Sequence, residues 1–277
     1  PYTQTLMAAV RPPPKSMSFE GSEDTQAVSD SIIRVDSLTA GYGRTKKKIV
    51  LRDVSLDVPR GQVVGVIGES GCGKSTLARV IAGLLPQVSG EIYHHGENLR
   101  DTAKRRTRDV LKNIQIVFQM PDVAVNPRHR VREILGRPLH LFMGLDAGAR
   151  ESRIDELLEL VELPASYKTR FPGELSGGEK QRINLARALA AEPELILCDE
   201  VTSALDTVVG KAIIDLLKKL QTNLGVAYLF ISHDLSTVAS FADQVVVLYA
   251  GRVVEQGSLA SVLAPPFHPY TRLLLRS

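Results

Sequence analysis

The chain has 277 residues, of which 44% are apolar and 23% charged, a composition typical of a globular protein with a substantial core. Its net charge of +3 is too small to indicate nucleic-acid binding, and the basic cluster from Lys104 to Arg108 is interpreted as a solvated helix face. Two cysteines make no disulfide framework and favour a reducing compartment, and no apolar stretch approaches the ~20 residues that span a bilayer.

Residues 1–30 contain a short sequence that recurs near the other end of the chain. Pro1-Tyr2-Thr3 is repeated as Pro269-Tyr270-Thr271. The segment that follows it begins with Pro12-Pro13-Pro14 and continues as a polar run without apolar periodicity, which is typical of a linker. The recurrence is either a coincidence or the end of a preceding domain.

Two kinds of strand pattern follow from Ile32 onward. "SIIRVDSL" and "VSLDV" alternate between apolar and polar residues, as in a half-exposed antiparallel sheet. "QVVGVIG", "LILCD" and "AYLFIS" are continuous apolar runs, which indicate strands buried on both faces of a mainly parallel sheet. Since helical patterns separate these runs, the sequence predicts an α/β fold.

Apolar residues at helical spacing predict the helices. "KSTLARVIAGLL" follows the first buried run, and Ile154, Leu157, Leu158 and Val161 share one face of a later segment. Residues from about 120 to 175 show helical patterns without a buried strand, which predicts an inserted α-helical subdomain. Near the end, "QVVVLYAGRVVEQG" predicts a hairpin that turns at Gly251.

The strongest local motif is "GESGCGKS", which fits the phosphate-loop pattern G-x-x-x-x-G-K-[ST] between a buried strand and a helix. Its glycines let backbone N–H groups converge on phosphate oxygens, and the helix adds its positive end. Lys74 is expected to reach the β- and γ-phosphates, and Ser75 to bind Mg²⁺. The predicted nucleotide-binding residues of this stretch are Gly68, Glu69, Ser70, Gly71, Cys72, Gly73, Lys74, Ser75 and Thr76.

A second motif, "LILCDE", places two acidic residues where a buried strand ends, at the edge of the sheet that carries the phosphate loop. Asp199 fits the carboxylate linked to Mg²⁺, and Glu200 fits a general base for the attacking water. The alternative is a strand end with two solvated acids. The phosphate loop upstream makes the catalytic interpretation the better one.

A third motif, "ELSGGEKQR", precedes the helical run "INLARALA" and resembles the signature of ABC-type ATPases. Other motifs of that family follow the same order along the chain. Tyr42 in "LTAGYG" resembles the aromatic residue that stacks on adenine, and Gln119 in "IVFQ" resembles the glutamine at the junction with the helical subdomain. Since Gln119 ends an apolar strand, its amide could orient water or Mg²⁺. "SALD", residues 203–206, resembles the loop that crosses to a partner domain, and His233 in "FISHD" resembles a γ-phosphate sensor.

The resemblance implies a P-loop nucleotidase core with a mainly parallel sheet, an antiparallel β subdomain and the helical insertion. It also implies that two such domains pack head-to-tail around two ATP molecules, so that Ser176, Gly177 and Gly178 bind ATP held by the partner. On this basis the expected catalytic residues are Glu200, His233 and Gln119, the expected Mg²⁺ ligands are Ser75, Gln119 and Asp199, and a second nucleotide-binding domain is an obligatory partner.

Two further stretches resemble the importer branch that handles oligopeptides, dipeptides and nickel. These are "NPR" at residues 126–128 and "HPYT" at residues 268–271. The branch implies transmembrane permease partners, indirectly a substrate-binding protein, and a peripheral location at the cytoplasmic face of the membrane. It also contains tandem two-ATPase polypeptides, which predicts that residues 1–30 are the tail of a first ATPase domain plus a linker and that residues 31–277 are the second domain.

Two alternatives to an importer subunit are considered. A soluble ABC-type ATPase of a non-transport complex, such as one that degrades phosphonates, resembles the importer branch closely and stays open. A kinase or G-protein-like switch does not account for "LSGGEKQR" or for the paired acids of "CDE". The neighbouring His94 and His95 are interpreted as a strand or hairpin surface and not as a metal pair.

Overall fold

The computed structural model of the chain describes residues 31–43 and 48–275. The predicted domain tail and linker at residues 1–30 lie outside the described residues, so the tandem arrangement stays a prediction.

The described strands form two sheets. In chain order they are β1 (Ser31–Tyr42), β2 (Lys48–Pro59), β3 (Val63–Ile67), β4 (Gln87–His94), β5 (Glu97–Asn98), β6 (Ile114–Val117), β7 (Leu195–Asp199), β8 (Ala227–Ile231), β9 (Gln244–Tyr249) and β10 (Arg252–Ser258). A six-stranded sheet has the order β10-β9-β3-β8-β7-β6, in which every pair except β10 with β9 is parallel. A four-stranded antiparallel sheet has the order β2-β1-β4-β5.

The burial of the strands follows their sequence patterns. Each residue of β3, β7 and β8 is buried, whereas β1 and β2 mix buried, half-buried and exposed positions. Continuous apolar runs therefore form the centre of the parallel sheet, and the alternating runs form the antiparallel sheet. Both β1 and β2 are longer than the predicted runs, since the pairing between them continues to Tyr42 and Lys48.

Helices pack around the sheets and fill the segment between β6 and β7. They are α1 (Lys74–Ile81), α2 (Arg108–Asn113), α3 (Pro121–Ala124), α4 (Val131–Pro138), α5 (Ala147–Leu160), α6 (Gly177–Leu189), α7 (Thr207–Leu224), α8 (Leu235–Ala239), α9 (Leu259–Val262) and α10 (Pro269–Leu274). Short 3₁₀ turns lie at Ala103–Arg105, Ala165–Thr169 and Pro172–Glu174, and a π turn lies at Leu139–Met143.

The helical segment buries the face that its sequence predicts. Ile154, Leu157, Leu158 and Val161 are all at most 2% exposed and belong to the larger apolar core. Between β6 and β7 the described chain forms helices and turns and contributes nothing to either sheet. The predicted α/β fold with an antiparallel β part and a helical insertion is confirmed. In the segments that the structure covers, no helix is long and apolar enough to cross a membrane.

The predicted hairpin turns at Ala250 and Gly251, both in the left-handed region with φ of +48° and +80°. A two-residue turn of this kind matches the twist of the strands it joins. A Cβ at Gly251 would lie 1.9 Å from the carbonyl oxygen of Val50, because the turn packs directly against β2. The hairpin thus connects the six-stranded sheet to the antiparallel sheet, and Arg52 N–H donates to Gly251 O at 2.8 Å.

Two residues that were interpreted as surface residues are buried, although their neighbours Lys104, Arg105, Arg108 and His95 are exposed. Arg106 is buried at 8% exposure, where its guanidinium donates to the carbonyl oxygens of Arg100 and Ile81, and burial lowers its pKa to about 10. His94 is also buried, at 7% exposure, although it was expected at a strand surface. Both residues lie where chain segments distant in sequence pack together, which local patterns do not reveal.

Candidate active site

The phosphate loop connects β3 to α1 and depends on glycine backbone geometry. Gly68 has a φ of +155°, and a Cβ there would lie 2.1 Å from the carbonyl oxygen of Leu248. The loop ends at Gly73, also left-handed, from which α1 begins at Lys74. The free N–H groups at the start of α1 and the helix dipole make this loop an anion-binding site.

Lys74 is 3% exposed, and its ammonium group lies against the loop that precedes it. Nζ donates hydrogen bonds to the carbonyl oxygens of Gly68 at 2.7 Å and Glu69 at 3.0 Å. It also lies 3.6 Å from Oε1 of Glu200. A positive charge is therefore held at the centre of the loop and paired with an acid from the end of β7.

Ser75 and Asp199 join α1 to β7. The Ser75 Oγ donates to Oδ1 of Asp199 at 2.6 Å. Burial raises the pKa of Asp199 above its ordinary value, an effect that the hydrogen bond from Ser75 and the positive charges of Arg79 and Lys74 partly oppose. Two oxygen-bearing side chains are thus adjacent beside the phosphate loop, and this is a ligand set that suits a hard divalent cation.

Glu200 connects the ends of three neighbouring parallel strands. Its Oε2 accepts a hydrogen bond from Nε2 of Gln119 at 3.2 Å and lies 3.7 Å from Nδ1 of His233. The Gln119 amide also donates to Ser203 Oγ at 2.9 Å. These residues follow β6, β7 and β8, whose carboxyl ends meet at one edge of the sheet.

The backbone of Glu200 is in an uncommon conformation for a residue with a side chain. Its φ is +50°, and its N–H donates to the carbonyl oxygen of Ile231 at 3.0 Å. Such left-handed non-glycine residues often occur at functional sites, where the surrounding structure offsets the strain. Here the conformation turns the chain sharply after Asp199, so that adjacent acids face different partners.

The loop borders an open cleft of about 340 Å³. Its lining residues are Tyr42, Val50, Ser70, Gly71, Gly73, Lys74, Ser75, Thr76, Gln119 and Glu200. Tyr42 is 40% exposed, and its hydroxyl lies 3.2 Å from the Thr76 Oγ1 and accepts a hydrogen bond from Arg79. The end of β1 therefore brings an aromatic ring to the cleft from the antiparallel sheet.

The residues Ser176, Gly177 and Gly178 lie apart from this cleft, since the described residues that line it include none of them. Ser176 caps α6, while the two glycines form its first turn and do not precede the helix as predicted. Ser176 N–H donates to the carboxylate of Glu179 at 2.7 Å, and its Oγ accepts from Glu179 N–H, a reciprocal capping box. The predicted role toward a partner domain's ATP stays a prediction.

Both cysteines are buried and free. Burial raises the pKa of the Cys72 thiol and that of the Cys198 thiol, so both stay protonated near neutral pH. Cys72 N–H donates to Glu69 O at 3.2 Å inside the phosphate loop. These environments agree with cysteines that fill space at the site and do not react.

Tyr270 lies at the site although no sequence motif predicts a role for it there. Its hydroxyl accepts a hydrogen bond from the Glu69 N–H at 2.8 Å, and its ring packs on Tyr249 with centroids 4.4 Å apart. Burial raises the pKa of Tyr270 to about 12, so the hydroxyl stays protonated. The "HPYT" stretch, noted only as a family likeness, thus supports the phosphate loop from the start of α10.

Replacing Tyr270 by phenylalanine is expected to weaken ATP binding by about two- to tenfold, because one backbone hydrogen bond that fixes the loop is lost. Isothermal titration with ATP measures the effect. Tyr249→Phe is the matched control, since it removes a hydroxyl from the stacked ring without touching the loop. Equal ATP affinity in Tyr270→Phe and wild type would contradict a supporting role for this hydroxyl.

The sequence is similar to known ATP-binding proteins over most of its length. The family model described as ABC transporter matches residues 51–203. A Brucella abortus protein described as a peptide import ATP-binding protein is 43% identical over 95% of this chain and 79% of its own length. A dipeptide transport ATP-binding protein of Haemophilus influenzae is 40% identical over 84% of this chain and 72% of its own. A nickel import ATP-binding protein of Brucella suis is 42% identical over 89% and 92%, respectively.

Two solved structures of ATP-binding proteins superpose on this fold. CbiO1 from Clostridium perfringens, described as part of the ABC transporter complex cbiONQ, superposes with a TM-score of 0.75 at 29% identity. That match covers 85% of this chain and 92% of the other. A dimeric ATP-binding cassette in a post-hydrolysis state with ADP and Pi superposes with a TM-score of 0.72 at 30% identity, over 82% and 98% of the two chains.

Proposed function

Because the chain belongs to the ABC transporter family, we propose that it is the ATP-hydrolysing subunit of an importer for peptides or similar small solutes. The observation that carries this proposal is the meeting of Lys74, Ser75, Asp199, Glu200 and Gln119 around one phosphate loop. Relatives whose names describe peptide, dipeptide and nickel import support the importer branch.

In the proposed mechanism, ATP lies in the cleft with its phosphates on the loop. Backbone N–H groups of residues 68–76 and the start of α1 bind the phosphate oxygens, and Lys74 neutralises charge on the β- and γ-phosphates. Tyr42 offers its ring to the adenine from the end of β1. Lys74 already has its ammonium at the loop, paired with Glu200, so the positive charge is in place before the nucleotide arrives.

Mg²⁺ fits the oxygen donors beside the loop. Ser75 and Asp199 lie in direct contact, and Gln119 reaches the same region from the end of β6. We assign the ion to these three residues, in agreement with the preference of magnesium for oxygen ligands. When bound, it would neutralise charge on the phosphates and assist phosphoryl transfer.

Glu200 is assigned as the general base that accepts a proton from the attacking water. Gln119 Nε2 donates to its carboxylate at 3.2 Å, which orients the group, and Lys74 stabilises its charge from 3.6 Å. His233, with 57% of its side chain exposed and Nδ1 3.7 Å from Glu200, is assigned as the γ-phosphate sensor. The left-handed backbone at Glu200 separates the base from the metal ligand that precedes it.

The proposed partners are a second nucleotide-binding domain and transmembrane permease chains, with a substrate-binding protein acting through the permeases. The exposed signature at the start of α6, away from the chain's own cleft, agrees with a partner's ATP as its ligand. The helical segment after Gln119, with Met120 57% and Leu141 49% exposed, is assigned to permease contact at the cytoplasmic face of the membrane.

We further propose that residues 31–277 are one nucleotide-binding domain with its helical subdomain at about 120–175, preceded by the tail and linker of a first domain.

Isolation of the intact complex tests the importer assignment. The chain is tagged at its C-terminus in the source cell, extracted in mild detergent and weighed by native mass spectrometry, with untagged cells as the control. We expect two apolar partner chains, and a tagged chain near twice this length if the tandem arrangement is right. A soluble complex without membrane chains would refute the transport assignment and favour the non-transport alternative, while leaving the ATPase assignment intact.

A further inference from the structure

Three potential metal ligands meet at a place far from the phosphate loop. His94 ends β4, His95 lies in the turn before β5, and Glu194 immediately precedes β7. Their ligand atoms all lie within 4.8 Å of one another. Nε2 of His95 lies 2.5 Å from Oε2 of Glu194, and Nε2 of His94 lies 3.4 Å from the same oxygen.

The backbone explains how two consecutive histidines reach one carboxylate. Neighbouring residues of a strand normally point to opposite faces of the sheet. His95 has a φ of +50°, so the strand ends there and the chain turns in the left-handed region. The two imidazole rings therefore lie side by side, with centroids 4.3 Å apart.

His94 is the most informative member of the cluster. It is 93% buried, and its Nε2 contacts Oε2 of Glu194 at 3.4 Å without forming a well-aligned hydrogen bond. Buried polar atoms are nearly always well paired, so a ring nitrogen with only this long contact can accept a further ligand.

We propose that His94, His95 and Glu194 form a binding site for a divalent transition-metal ion, with Zn²⁺ as the best match. Two imidazole nitrogens and one carboxylate oxygen are a common protein ligand set for zinc, with a water completing the tetrahedron. Ligand atoms of a tetrahedral zinc site are about 3.4 Å apart. The distance from His94 to Glu194 already equals this value, and the His95 hydrogen bond would be replaced by a small movement of the carboxylate.

Positively charged groups near the cluster are expected to weaken its affinity for a metal ion. Arg60 Nη1 lies 3.8 Å from Oε1 of Glu194, and the positive charge of Arg106 also acts on His94. These guanidinium groups oppose a cation, so micromolar rather than nanomolar binding is expected. Arg60 approaches the carboxylate oxygen Oε1, whereas both imidazoles approach Oε2.

The location indicates a stabilising role. Glu194 precedes the amino end of β7, whereas Asp199 ends the same strand, about 16 Å of extended chain away. A metal ion here would join the β4–β5 turn of the antiparallel sheet to the six-stranded sheet. It would therefore stabilise the contact between the sheets without taking part in ATP hydrolysis, and the proposal does not depend on the proposed function.

Zinc titration of the nucleotide-free chain, purified without a polyhistidine tag and in excess Mg²⁺, tests the site. We expect one saturable Zn²⁺ ion by calorimetry and a melting temperature that rises with zinc concentration, since a ligand of the folded state stabilises it. His95→Ala and Glu194→Gln should each weaken binding by about tenfold or more. The exposed His140→Ala, which also removes one imidazole, is the matched control and should bind like wild type.

Cobalt binding provides a second measurement, which a purely structural change in the protein would not affect. Co²⁺ in a tetrahedral histidine–carboxylate site gives strong visible absorption, which should appear in wild type and His140→Ala and disappear in His95→Ala. The metal-free melting temperatures show that the variants are folded. Absence of saturable zinc binding, or equal zinc affinity in wild type and the two cluster variants, would overturn the proposal.

Discussion

Replacement of Glu200 by glutamine is expected to reduce ATP hydrolysis by about 100- to 10,000-fold while leaving ATP binding nearly unchanged. Glutamine has the same size and can still accept the hydrogen bond from Gln119, so the geometry of the strand ends is kept. It cannot accept a proton from water. With hydrolysis blocked and ATP bound, two such domains should remain associated as a closed dimer.

Phosphate release measures turnover, titration calorimetry measures ATP affinity, and size-exclusion chromatography with ATP detects the dimer. Glu192→Gln is a matched control because Glu192 also has a left-handed backbone, with a φ of +51°, and lies on the surface. It should hydrolyse ATP like wild type. Normal turnover in Glu200→Gln would refute the assignment of Glu200 as the general base.

Replacement of Lys74 by alanine is expected to weaken ATP binding by about 100-fold or more. A hydrogen bond to a charged group contributes about 1.5–3 kcal/mol, and Lys74 is expected to make such bonds to two phosphates. The change also leaves Glu200 without the ammonium group 3.6 Å away, which adds repulsion toward the nucleotide. Loss of binding should therefore exceed the effect of any single loop hydrogen bond.

Fluorescence or calorimetric titration with ATP checks this expectation, and circular dichroism verifies the fold of the variant. Lys104→Ala is the matched control, since it removes one lysine charge from an exposed position outside the cleft. The control should bind ATP with wild-type affinity. If Lys74→Ala also did so, the phosphate-loop assignment would be wrong.

Local sequence predicts much of the fold because the central strands and helices are determined by short-range pattern. The run "LILCD" coincides with β7, and "AYLFIS" extends only one residue beyond β8. The apolar face of α5 is buried as predicted. Family membership is likewise confirmed by relatives more than 40% identical. Two boundaries differ from the predicted runs. Pairing with β2 extends β1 as far as Tyr42, whereas α1 ends at Ile81, short of Leu85, and the chain turns at Gly83 with a φ of +72°.

Sequence alone was sufficient to predict which residue types carry the proposed chemistry, because the phosphate loop and the acids after β7 are each contiguous motifs. Their meeting at one sheet edge followed from the rule that parallel strands share their carboxyl ends. Tertiary structure alone decided which side chains pair across long separations. It placed the Tyr270 hydroxyl on the Glu69 N–H, buried Arg106 against Ile81, and brought two histidines to Glu194. These contacts join residues from 25 to 201 positions apart, and periodicity reports which face of one element is buried but not which distant residue will cover it.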